Sequence, residues 1–194
     1  MMKRIVIIQG HPDPAGEHFC HALAESYAAG AREAGHAVST ITVAEIDFPL
    51  LHSKEEWEHG ELPKRLLPAQ NAIRDADHLV FVYPLWMGTM PAALKGFLEQ
   101  VLRTDLTVKI DEKGHWQKLM KGTSARVVVT MGMPALAYRW FFRAHSLKSL
   151  ERNVLKFIGI KPVRETLVGM VENLSPEKRE RWCEDLKALG RKGI

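Results

Sequence analysis

Apolar residues along this chain occur in two kinds of run, one short and unbroken, the other spaced three and four apart. Ile5-Val6-Ile7-Ile8 is an unbroken β-branched run, which predicts a central parallel strand buried on both faces. Phe19, Leu23 and Tyr27 share a stripe behind it and predict a helix over about 18–34. Val38 to Val43 reads as a second strand. The stretch from Asp47 to Pro63 is polar and irregular, carries Trp57 and two histidines, and is long for a connection. Pro68 suits the first turn of a short helix ending near Asp75. His78 to Tyr83 is a third strand, stopped by Pro84, and Pro91 opens a helix with Leu94, Phe97, Leu98, Val101 and Leu102 at helical spacing. A turn is predicted from Asp111 to Gly114, before a fourth strand from Ala125 to Thr130. Leu147, Leu150, Val154, Leu155 and Ile158 form the buried stripe of a long helix, and Glu165 to Met170 is a fifth strand. Ser175 and Pro176 supply the cap and first position of a last helix.

Five strands alternating with helices imply an α/β three-layer sandwich around a five-stranded parallel sheet with right-handed crossovers. No repeat or linker interrupts the chain, so residues 1–194 read as one domain. Two small solutions exist: the strand order 2-1-3-4-5, and half of a dinucleotide-binding sheet. Both bind ligands beyond the carboxyl ends of the strands, at the switch between the first and third. The loops after Ile8, Tyr83 and Thr130 are therefore the places for chemistry.

The first of these, from Gln9 to His18, runs into a helix whose free N–H groups suit a phosphate, with His11 and His18 as further donors. It matches neither GxGxxG nor a Walker loop, and an ordinary βα turn remains open. His11, His18 and His21 bring no convincing carboxylate or cysteine ligands, so no metal site is expected. The second loop, Pro84-Leu85-Trp86-Met87-Gly88-Thr89-Met90-Pro91, makes a flat apolar wall with backbone amides for a planar heterocycle; the alternative is a tryptophan that fills a gap. The third, Thr130-Met131-Gly132-Met133-Pro134, is built on small and flexible residues, with Tyr138 just beyond.

The formal charge of +4 is spread along the chain, which argues against nucleic acid and for an anionic ligand. Two distant cysteines, Cys20 and Cys183, set no disulfide framework or zinc site. The apolar run after Lys3-Arg4 is too short for a signal peptide, and no stretch has the length of a membrane span, so a soluble cytoplasmic protein without membrane insertion is expected.

Across nearly its whole length the chain resembles the NAD(P)H:quinone oxidoreductases of flavodoxin-like fold, the DT-diaphorase and modulator-of-drug-activity-B branch. The residues carrying the likeness are Gly10-His11-Pro12 with Phe19-Cys20-His21-Ala22-Leu23, then Gln70 to Asp77, Pro84-Leu85-Trp86, Pro91 to Gly96, and Gly114 through Lys118 to Gly122 and Thr130-Met131-Gly132. The resemblance implies a non-covalent FAD or FMN, NAD(P)H as co-substrate, and ping-pong hydride transfer to a quinone-like acceptor in a homodimer. It places His11, His18, Phe19 and Cys20 by the flavin phosphates. Gln70, Pro84, Leu85, Trp86, Met87 and Gly88 fall around the ring and ribityl chain, with Thr130, Met131, Gly132, Met133 and Tyr138 across from them. Tyr138, with His145 as a second partner, is implied as the catalytic group that stabilises charge on reduction. His18, Cys20, Met87, Met131 and Met133 depart from the residues common in relatives. A second role the family allows is that of a flavin-binding ancillary subunit of a potassium-efflux system.

Overall fold

A computed structural model describes residues 1–103, 108–110 and 116–194. The main sheet holds β1 (Arg4–Gln9), β2 (Ala37–Thr42), β3 (His78–Pro84), β6 (Ser124–Thr130) and β7 (Val163–Val168), all parallel, in the order β2-β1-β3-β6-β7. A separate antiparallel pair, β4 (Val108–Ile110) with β5 (Trp116–Lys118), lies between β3 and β6 in sequence. Leaving out that pair, the order is 2-1-3-4-5, the first of the two solutions that the pattern of runs leaves open. The turn expected over 111–114 lies outside the described residues.

Alternation along β1 decides what each layer contains. Ile5 and Ile7 face α1 (Phe19–Glu33), joining Leu23, Tyr27 and Val82 in one buried cluster. Val6 and Ile8 face the opposite side, with Phe81, Leu94, Phe97 and Val127. That second layer contains α3 (Leu67–Asp75), α4 (Ala92–Val101) and the helices between β6 and β7. Each fully buried aliphatic or aromatic side chain contributes about 1.5–3 kcal/mol, so both faces hold the sheet.

The long α7 (Pro176–Lys192) lies on α1, and Ser175 caps it by accepting from the Lys178 N–H. The two helices cross at Gly30 and Gly190. A β-carbon on Gly30 would stand 1.9 Å from the Lys187 carbonyl oxygen, and one on Gly190 would stand 2.1 Å from that of Tyr27. Glycine at both positions lets the backbones touch.

Two elements differ from the sequence expectation. The irregular stretch contains α2 (Lys54–His59), where the Ser53 hydroxyl caps the Glu56 N–H and the Glu56 carboxylate reaches back to the His52 N–H. After β6 the expected single helix is broken. Helix α5 (Ala135–Trp140) ends, Arg143 and Ala144 take left-handed backbone angles of 53° and 48°, and α6 starts afresh over 145–158. Its middle, Leu150–Leu155, winds as a π-helix, a form often found beside functional sites.

Candidate functional site

The exit of β1 is organised around three imidazoles. The buried His11 ring stacks on His18 at 3.9 Å, and His21 lies 5.4 Å from His11. The His11 N–H donates to Gln9 Oε1 at 2.7 Å, and His11 Nδ1 accepts the Asp13 N–H at 3.2 Å. Asp13 pairs with His18 Nε2 at 2.7 Å, which holds its carboxyl below the usual range. Burial, then the neighbouring imidazoles, lowers the pKa of His11; burial, then His18, does the same for His21. The neutral forms of His11 and His21 are thus favoured.

Several donors here have no partner. Gln9 Nε2 and both His21 ring nitrogens are buried without a hydrogen bond. Among the described residues, the amides of Gly16, Glu17, His18, Phe19 and Cys20 make no hydrogen bond either, and the first turn of α1 carries no acidic residue. Arg179 packs over the Phe19 ring at 5.1 Å, and both residues line a 390 Å³ cavity with His18 and His21. Glu17 and Glu25 line it too. This donor set fits the phosphate of a nucleotide cofactor.

At the end of β3 the Leu85 N–H donates to the Thr130 carbonyl at 2.7 Å. Trp86 and Thr89 then exchange two backbone bonds of 2.9 Å around Met87 and Gly88, whose φ values are 47° and 79°. Two successive positive φ values make this a primed turn. It leaves Trp86 half-exposed and Met87 fully exposed. Below it opens a 460 Å³ cavity, walled by Trp86, Met90 and Pro91 on one side and by Ser146, Leu150 and Val154 on the other.

The loop after β6 is fastened from behind. Val171 N–H donates to the Met131 carbonyl and Met170 N–H to that of Met133, at 3.2 and 3.1 Å. The Met131 N–H is taken by Val168, and its side chain is buried. The Gly132 and Met133 amides make no hydrogen bond among the described residues and stay available.

Four of the expected site residues are engaged by other partners or do not line the cavities. Gln70 donates to the Val101 carbonyl, at the last residue of α4, at 3.2 Å. Cys20 is buried and bonds Thr130 Oγ1 at 3.0 Å. Burial pushes the Cys20 thiol pKa up to about 11. Tyr138 is buried; its hydroxyl lies 2.7 Å from Ser146 Oγ and accepts the Leu147 N–H at 3.2 Å, so the break before α6 directs it there rather than into the cavity. His145, on the first turn of α6, is exposed and does not line the cavity. His11, His18, Phe19, Pro84, Leu85, Trp86, Met87, Gly88, Thr130, Met131, Gly132 and Met133 all lie in or beside the three strand-end loops.

Gln9, Arg179 and Ser146 were not anticipated. Gln9 ends an apolar strand and is buried, a position where a polar residue needs a reason. Arg179 and Ser146 arrive from other elements and had no local signal. No group of three or more His, Cys, Asp or Glu could hold a metal among the described residues, and none of their helices is long and apolar enough to cross a membrane.

An unbroken parallel sheet in the order 2-1-3-4-5, with donor amides at the β1 exit and an apolar shelf after β3, is an α/β fold of flavodoxin type. The chain belongs to the family described as Flavodoxin-like fold, which matches residues 3–189. It is 28% identical to an NAD(P)H oxidoreductase of Haemophilus influenzae over 92% of this chain and 90% of that one. It is 34% identical to FMN-dependent NADH:quinone oxidoreductase 1 of Hahella chejuensis, over 47% of this chain and 42% of that one. The solved NAD(P)H:quinone oxidoreductase from Methanothermobacter marburgensis superposes with a TM-score of 0.82 at 23% identity, covering 99% of this chain and 97% of its own.

Proposed function

We propose that residues 1–194 form one cytoplasmic enzyme domain that uses a flavin nucleotide, FMN or FAD, to carry hydride from NAD(P)H to a quinone-like acceptor by a ping-pong mechanism. A bound flavin supplies the two-electron relay between nicotinamide and acceptor. The observation that carries the reading is the adjacency of two kinds of surface: unpartnered donors from Gly16 to Cys20 beside His11, and an apolar cavity under Trp86, whose ring lies 5.9 Å from that of His11. In this reading, the α1 amides with His11 and His18 hold the phosphate. The amides of Gly132 and Met133 face the ring across from Trp86. Leu85, hydrogen-bonded to Thr130, fixes the spacing of the two loops. None of the relatives named above favours a role beside a potassium-efflux system.

Purified protein is expected to be yellow or to take up flavin when it is supplied. Stabilisation should follow mass action and reach about 2.7 kcal/mol at a hundredfold excess over the dissociation constant. Colourless protein whose melting temperature ignores both FMN and FAD would refute the reading.

We also propose a homodimer. Leu136, Trp140 and Phe141 are 70%, 76% and 81% exposed on and after α5, a cluster of large apolar side chains that a partner would cover. Light scattering should return twice the chain mass at micromolar concentration, and a monomer there would overturn the proposal.

A further inference from the structure

The 460 Å³ cavity beneath the Trp86 turn is almost wholly apolar. Its wall from the β3–α4 connection consists of Trp86, Met87, Thr89, Met90, Pro91 and Ala92. Lys95 also lines it, but its ammonium is paired with Glu99. The opposite wall, from α6, sets two hydroxyls, Ser146 and Ser149, among Leu150 and Val154. Such a space takes a flat, uncharged molecule and has few atoms with which to orient it.

Ser146 is oriented by what stands behind it. The Leu147 N–H donates to the Tyr138 oxygen at 3.2 Å, which takes up one acceptor position of the phenol. That leaves the phenol proton free to donate to Ser146 Oγ, 2.7 Å away. A serine oxygen that already accepts a hydrogen bond from the buried side has its own proton turned outward. Outward here is the cavity. Tyr138 is 2% exposed and does not line the cavity itself, so it acts only through Ser146.

We infer that Ser146 recognises the acceptor, donating a hydrogen bond to a carbonyl oxygen of a planar quinone, and that Tyr138 is the positioning residue holding Ser146 in that state. The inference rests on the reductase reading given above. NAD(P)H, a proton from water and the quinone yield NAD(P)⁺ and the hydroquinone. Two electrons and one proton arrive as hydride, the second proton comes from solvent, and Ser146 is not consumed. Negative charge grows on the carbonyl oxygen as hydride arrives, so the serine bond strengthens toward the transition state. The cavity thereby selects acceptors with a carbonyl over those without one.

The test uses flavin-loaded protein reduced by NAD(P)H and mixed with one of two oxidants in a stopped-flow instrument. One is 2-methyl-1,4-naphthoquinone, which has carbonyls; the other is ferricyanide, which has none. Ser146→Ala should slow reoxidation by the quinone about tenfold and leave the ferricyanide rate within twofold. Ser146→Thr should restore most of the quinone rate. Tyr138→Phe, with the serine proton released, should show a smaller loss confined to the quinone. Quenching of tryptophan fluorescence by the quinone on oxidised protein should require several-fold more quinone in Ser146→Ala, a readout independent of turnover. An unchanged quinone rate in Ser146→Ala, or an equal loss with both oxidants, would overturn the assignment. If the unsubstituted protein fails to be reduced by NAD(P)H, the reductase reading falls and takes this one with it.

Discussion

Gly30→Ala is expected to lower stability by about 2–3 kcal/mol, although alanine is the better helix former by about 1 kcal/mol. The geometry decides the sign. The new methyl would sit 1.9 Å from the Lys187 carbonyl oxygen and 2.7 Å from its carbon, both on the backbone of α7. No side chain can rotate out of the way, so relief requires α1 and α7 to separate. Separation loosens contacts around Tyr27 and Leu186, both 0% exposed between those helices and the sheet. Overpacking of this kind costs about 1–3 kcal/mol and at times more, which exceeds the gain in helix propensity. The melting temperature should fall by roughly 5–10 °C for a chain of this size. A melting temperature at or above that of the parent would show that the two helices slide past each other without loss.

His78 sets the second large effect, an acid-side loss of stability. Its ring is fully buried at the start of β3, with Nδ1 2.8 Å from Ser124 Oγ and Nε2 without a partner. Burial above all, followed by the charges of Lys3, Arg126 and Arg164, lowers its pKa to about 3. The ordinary value is about 6.5 in an unfolded chain. Between those limits the unfolded state binds a proton that the folded state refuses, so stability rises with pH. The contribution is fully present above about pH 6.5 and shrinks as pH falls toward 3. Urea denaturation should show about 2 kcal/mol less stability at pH 5 than at pH 7 from this residue. The lowered values of His11 and His21 add to the same slope. His78→Asn should be less stable at pH 8 yet lose less between pH 7 and 5; an identical slope in both proteins would move the effect elsewhere.

The strands were legible because a central parallel strand has no polar face, and runs such as Ile5 to Ile8 or Leu79 to Val82 cannot be read another way. The runs left two sheet orders open, and both put the site in the same three loops. Helix α2 was missed although Ser53 and Glu56 spell a cap, because Trp57 alone offers no apolar stripe across its six residues. The break at Arg143 and Ala144 had no sequence mark, since neither residue is a glycine or proline. That break decided the role of Tyr138. Spacing along the chain placed it correctly near the third loop, but only the restarted helix shows where its hydroxyl goes. Gln70 failed for a related reason: a buried amide binds whichever carbonyl lies opposite, and Val101 is distant in sequence.

The tether between Cys20 and Thr130 bears on chemical durability. Quinones are electrophiles that arylate thiolates, and an enzyme that handles them exposes its own sulfur to alkylation. With its pKa near 11, the Cys20 thiol is ionised in only about one molecule in ten thousand at neutral pH, and its sulfur is sealed behind α1. A thiol therefore stands within the first turn of α1 and is withheld from reaction. The other cysteine, Cys183, is partly buried on α7, one turn beyond Arg179. In the proposed reductase, the thiol at the start of α1 is thereby kept from reacting with the substrate.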